Sequence, residues 1–173
     1  MEVLEAMKAL RNVRKYKPVP IPEEKLKNVL NAVRLAPSAE NRQPWKFIII
    51  RDEERKRKLV SACGSNHKFM VEAPVIIVGC ALPDEAYPAL GSYMCSYPVD
   101  MGAAISHLVL AAANEGLGTC WLYDFSEDRL KGVLSLDGYV KIVGLTPLGY
   151  PAENPPPTDR KHINDIVCYD EYR

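Results

Sequence analysis

The sequence is short of the equipment that most often marks a catalytic or metal-binding protein. Among 173 residues there are only three histidines, His67, His107 and His162, and none stands near a serine or cysteine in a nucleophile-elbow or triad context. The five cysteines, Cys63, Cys80, Cys95, Cys120 and Cys168, are odd in number and form no CxxC pair or Cys/His cluster at ligand spacing. That argues against a metal site and for reduced thiols. No GxGxxG follows a strand-like run, and there is no GxxxxGK[ST] loop. Net charge is missing too: 22 basic residues balance 22 acidic ones, so the total gives no sign of a nucleic-acid surface. No apolar stretch is long enough for a membrane span, and the amino terminus carries charge too early for a signal peptide. The expectation is a cytoplasmic protein with neither membrane nor nucleic-acid partners.

What is present is enough hydrophobic material, 47% of residues, for one self-sufficient core. Residues 2–10 carry an apolar stripe that predicts a short helix. A second helix starts at Pro22, a suitable first-turn residue followed by two glutamates, and ends before Pro37. "WKFIIIR" (45–51) and "APVIIVGCA" (73–81) are unbroken apolar runs, which predict strands buried on both faces. Between them, "DEERKRKLVSAC" reads as a charged surface helix. Residues 99–115 are apolar nearly all round and rich in alanine, the pattern of a central or interface helix. "GLGTCWL" supplies a glycine stop and a short strand, "SEDRLKGVL" a serine-capped helix, and "YVKIVGLTPLGY" the last strand. Interleaved helices and strands predict an α/β or α+β domain around one sheet.

If such a chain is an enzyme, its hard chemistry belongs to a bound cofactor rather than to side chains. Two features could hold one. Arg11 and Arg14 after the first helix, with Arg160 and Lys161 after the last strand, could grip a phosphate, or be solvated surface charges. The turn "LAPSAENRQPWKF" (35–47) crowds Ser38, Asn41, Arg42 and Gln43 together. They suit the polar edge of a planar heterocycle, or serve only to satisfy the turn's own backbone.

Five blocks taken in order, "RNVRKYKPVPIPEEKL", "RLAPSAENRQPWKFIIIRD", "EAPVIIVGCA", "VDMGAAISHLVLAAANEGLGTCWL" and "LTPLGYPAENPPPTDRK", resemble the FMN-dependent nitroreductases over nearly the whole chain. The PSxxNxQPW and GLGTCW elements are the more specific. The resemblance implies a nitroreductase-like fold, with a mixed, mainly antiparallel sheet flanked by helices, in a single FMN-binding domain spanning 1–173. It also implies a homodimer with two FMN sites at the subunit interface, residues 151–173 reaching across the partner. Arg11, Asn12, Arg14, Arg160 and Lys161 would then serve the FMN phosphate. Pro37, Ser38, Ala39 and Asn41 would meet the ribityl chain and ring edge, Asn66 the flavin ring, and the backbone of Leu122, Tyr123 and Asp124 its N5 and O4 edge.

The implied activity is oxidoreduction. NADH or NADPH reduces FMN, leaves, and an electron-poor small molecule such as a nitroaromatic or quinone takes the electrons in a ping-pong cycle without a catalytic side chain. Alternatives on the same fold are a dehalogenase or flavin-destructase type of enzyme, or a non-catalytic flavin-binding protein. Leu10 and Thr158 stand where the family often has basic residues, and Asn12 where it has serine. Each missing charged hydrogen bond lowers phosphate affinity by roughly 1.5–3 kcal/mol. Residues 82–98 are too short for the family's larger helical lid; Tyr87, Tyr93, Met94 and Tyr97 could form a small cover instead.

Overall fold

Four strands, β1 (Trp45–Ile50), β2 (Val75–Ala81), β3 (Gly118–Thr119) and β4 (Lys141–Gly149), form one sheet in the order β1-β2-β4-β3, and every ladder is antiparallel. The computed structural model describes residues 2–172. All seven residues of β2 are buried, as an unbroken Val/Ile run requires of a central strand. β1 carries the same kind of run, yet only Ile50 is buried. The sequence expectation of two covered faces fails there because β1 is an edge strand, paired to β2 on one side only.

Among the described residues there are five helices, α1 (Val3–Ala9), α2 (Glu23–Arg34), α3 (Glu53–Val60), α4 (Tyr97–Asn114) and α5 (Glu127–Leu134), and α1 packs on α4. The two-residue period of β2 divides the core. Ile77 joins Val29, Val33, Leu108 and Leu148 under α2 and α4, while Ile76 and Val78 join Leu59, Leu130 and Leu145 under α3 and α5. The result is three layers with the sheet in the middle.

The helix ends follow local chemistry with some departures from expectation. α2 ends at Arg34, ahead of Pro37, and Gly116, at φ +73°, follows the end of α4. α4 begins at Tyr97 rather than 99, because Pro98 sits in its first turn, where a missing N–H costs nothing. Ser126 occupies the N-cap of α5 but its hydroxyl makes no cap bond, whereas Asp52 caps α3 by accepting from Arg55 N at 2.7 Å. α3 is not wholly a surface helix: Lys56 is buried, donates to the Ala73 carbonyl at 2.7 Å and pairs with Glu53. That ammonium ties α3 to the end of a 3₁₀ segment, Ser65–Glu72, for which the sequence showed no periodic signal.

Candidate functional site

Two segments rich in polar groups flank the sheet, at opposite edges. The turn before β1 is held in an uncommon conformation: Glu40, Asn41 and Gln43 have φ of +50°, +55° and +51°, in the left-handed region that disfavours L side chains. Bonds from outside the turn compensate. Asp100, buried in the first turn of α4, accepts from Ala39 N at 2.9 Å and from the Ser96 hydroxyl at 2.6 Å, and Ser96 accepts from Tyr87 N at 3.0 Å. Ser38 Oγ is engaged by Gln43 N at 2.9 Å, while the Asn41 side-chain amide has no partner among the described residues. Arg42 pairs with Glu40, donates to the Ala86 carbonyl and lies 5.7 Å from the centre of the Tyr87 ring. Residues 82–96 therefore buttress this turn. Tyr93 is 81% exposed, and its ring lies over Gly91.

The basic motif lies at the other edge. Val13 N donates to the Thr119 carbonyl at 2.9 Å and Asn12 bridges Thr119, so residues 11–14 extend the sheet beside β3. Burial of Val13 against Gly118, where any Cβ would clash, fixes this register and leaves Asn12 and Arg14 facing outward. Among the described residues the Arg14 guanidinium makes no hydrogen bond; its backbone N donates to Glu153 Oε1 at 2.6 Å. Burial pushes the Cys120 thiol up, with Arg14 opposing and Glu153 reinforcing that shift.

Arg11 is engaged differently from Arg14. It donates to the carbonyls of Lys8, Leu10 and Pro155 at 2.7, 2.8 and 3.2 Å, and so joins α1 to the carboxy-terminal segment. One cavity of about 270 Å³ is lined by Leu10, Arg11, Thr158 and Arg160, together with Lys8. The structure thus gathers Arg11 and Arg160 with the two uncharged positions, Leu10 and Thr158, and leaves Arg14 outside this lining. Lys161 is exposed and outside this lining.

The strand edge continues from Thr119 through Leu122, which is buried and exchanges two backbone bonds with Leu145, to exposed Tyr123 and Asp124. Gly64 N donates to the Asp124 carbonyl at 3.2 Å, which brings the 3₁₀ segment carrying exposed Asn66 to the same place. His67 Nε2, buried and without a hydrogen bond, lies 3.4 Å from Asp124 Oδ2, an ion-pair rather than a hydrogen-bond geometry.

One chain therefore brings together Asn12, Arg14, Asn66 and residues 122–124, but not Pro37, Ser38, Ala39 and Asn41. The turn sits at the Trp45/Ala81/Lys141 end of the sheet and the basic motif at the Gly118/Gly149 end, on opposite edge strands. α4 gives a second ruler: Asp100 near its start holds the turn, and its end leads into β3. Eighteen residues at 1.5 Å each make that helix about 27 Å long. Sequence reading missed Asp100, Ser96, Glu153 and His67. Only His67, two residues before an aromatic and beside Asn66, carried any local hint.

The cofactor implied by the resemblance is FMN, and the donor set fits it. Residues 119 to 123 run roughly 13 Å along the edge, at ~3.3 Å per residue, from the free Arg14 and Asn12 side chains to the Tyr123–Asp124 backbone. A phosphate at one end and a planar ring at the other match that order of charge and polarity.

Fold and site together define a three-layer α+β protein with an anion-ready sheet edge. The sequence profile of the nitroreductase family matches residues 8–67 and 60–150, and the chain belongs to that family. A Methanothermobacter thermautotrophicus protein, provisionally named NADH dehydrogenase/NAD(P)H nitroreductase, is 38% identical over 162 residues, covering 90% of this chain and 80% of the relative. Among solved structures, a nitroreductase family protein from Clostridium novyi NT matches at 32% identity and a TM-score of 0.81, covering 88% of this chain and 87% of that one. A Desulfovibrio desulfuricans protein, provisionally described as a nitroreductase and solved in complex with FMN, matches at 25% identity and a TM-score of 0.88, covering 100% and 99%.

Proposed function

We propose that this chain is an FMN-containing oxidoreductase that takes reducing equivalents from NADH or NADPH and passes them to an electron-poor acceptor such as a nitroaromatic or a quinone. The observation that carries the reading is the β3 edge, where unengaged Arg14 and Asn12 side chains and the Tyr123–Asp124 backbone line up in the order of an FMN's phosphate and ring. When bound, FMN supplies a two-electron carrier that accepts hydride from the nicotinamide and yields it to the acceptor.

The chain's own residues bind and orient. Arg14 and Asn12, with Arg11, Arg160 and Lys161, hold the phosphate; the Leu122–Leu145 backbone pair fixes the edge so that the Tyr123 and Asp124 backbone meets the ring; Asn66 reaches the ring from the 3₁₀ segment. Pro37, Ser38, Ala39 and Asn41 act on the FMN of a second copy, since their separation from the β3 edge exceeds what one FMN spans within a chain. The active species is accordingly a homodimer of single domains whose residues 151–173 reach across the partner. Donor and acceptor stack in turn at one exposed ring face, which gives ping-pong kinetics and needs proximity more than a side-chain acid.

The test is spectroscopic. The purified protein should carry or take up FMN, bleach on anaerobic mixing with NADH or NADPH, and recover colour with a nitroaromatic or a quinone. A protein that binds no FMN overturns the reading; bound FMN that neither nicotinamide reduces overturns its NAD(P)H-dependent part and favours a non-catalytic flavin binder.

A further inference from the structure

His67 and Asp124 meet beside the segment assigned to the flavin ring, and nothing in the proposed reaction uses either side chain. The contact is built, not incidental. The Asp124 carboxylate lies over Gly64, in space that any Cβ at position 64 would occupy, and Gly64 N donates to the Asp124 carbonyl. Cys63 bridges Phe125 on the next step of the same ladder. His67 Nε2 is fully buried, has no hydrogen bond, and faces Asp124 Oδ2 at 3.4 Å. The other face of the imidazole meets Phe69 edge-on, with ring centres 6.4 Å apart. The buried imidazole is thus packed against the Asp124 carboxylate, and the two side chains share one electrostatic environment.

We propose that His67 and Asp124 are positioning residues that set the reduction potential of the bound flavin. The inference rests on the assignment of residues 122–124 to the flavin ring. Reduction places additional negative charge on the ring, so a neighbouring carboxylate disfavours the reduced state and the imidazole dipole packed against that carboxylate partly offsets it. Two titratable neighbours of the pair do not substitute for it. Cys63 is pushed up to about 11, by burial first and then by Asp124, with Arg129 opposing, and so stays neutral at working pH. Lys56 on α3 is engaged by Glu53 and by the carbonyls of Ala73 and Val71.

The experiment measures the midpoint potential and the FMN dissociation constant of the wild-type protein, Asp124→Asn, His67→Gln and the double variant at one fixed pH, with thermal melting as the check on folding. Asp124→Asn should raise the potential and His67→Gln should lower it. Each shift corresponds to a change of roughly 1.5- to 5-fold in the preference for reduced over oxidised FMN, the range of an exposed ion pair. The double variant should return toward wild type, and Asp124→Glu should retain the wild-type potential. Shifts of the same sign in both single variants, or no shift in either, overturn the proposal, because loosening of a merely structural contact has no reason to change sign with the charge removed. If His67→Gln does not fold, the near-isosteric Asp124→Asn alone decides: an unchanged or lowered potential sinks it. A wild-type protein that binds no FMN instead removes the functional reading on which the inference rests.

Discussion

Asp100 governs the turn at 37–43 from outside it. Its two oxygens meet Ala39 N and the Ser96 hydroxyl in a buried setting, and the turn that Ala39 opens holds three residues with positive φ. Asp100→Ala should cost about 1–3 kcal/mol of stability in urea unfolding, the penalty for stranding buried donors, and should weaken FMN retention together with it. On the proposed reading, Arg14→Ala should act on binding alone. Its guanidinium makes no hydrogen bond within the described residues, so the fold should melt as wild type, while FMN affinity measured by equilibrium dialysis falls by about 1.5–3 kcal/mol. Arg14 was legible in the sequence because charge clustered after a helix is a local feature. Asp100 was not, since nothing local says that the first turn of α4 meets a loop sixty residues earlier.

α1 and the start of the carboxy-terminal segment form one unit. Arg11 joins them through Pro155, Ala152 N donates to the Lys15 carbonyl, and Leu10 and Thr158 line the same cavity as Arg11 and Arg160. Leu10→Arg restores a charge at that cavity and should tighten FMN binding by about 1.5–3 kcal/mol if it completes a phosphate contact, read by fluorescence titration. At α5, burial works to raise the Glu127 carboxyl's pKa, but the Ile142 N–H at 3.0 Å and the nearby Lys131 and Lys141 outweigh it, and the net direction is down. A carboxyl lowered on folding contributes its stability above the unfolded pKa and loses it as pH falls through the folded one. The melting temperature should therefore drop between about pH 6 and about pH 3, and Glu127→Gln should flatten part of that drop. Element types were readable from period and punctuation. The 3₁₀ segment 65–72 was not, because it shows neither a helical nor a strand period and is held by Lys56 and Gly64 from neighbouring elements.

A single copy leaves Val3, Leu4 and Met7 of α1, Leu35, Val99 of α4, and Ile163, Ile166, Tyr169 and Tyr172 of the tail exposed. These are side chains that the proposed homodimer would cover. The protein should sediment as a dimer of about twice its 19.3 kDa chain mass. Ile166→Glu should shift it toward monomer and release FMN with it, which ultracentrifugation and flavin absorbance can follow together. No helix among the described residues is long and apolar enough to cross a membrane.

Local order was settled along the chain itself. Apolar runs made β2 and β4, helical stripes and prolines bounded α2 and α4, and family motifs pointed to a flavin, because each of these depends on neighbours within a few residues. Only the tertiary structure decided which polar groups can share a ligand. Strand order put Arg14, Asn66 and Asp124 on one edge and Ser38 and Asn41 on the other; it exposed β1, buried Lys56 and paired His67 with Asp124. Those outcomes depend on distances between segments far apart in sequence, which the packing of α4 across the sheet sets and no local pattern encodes.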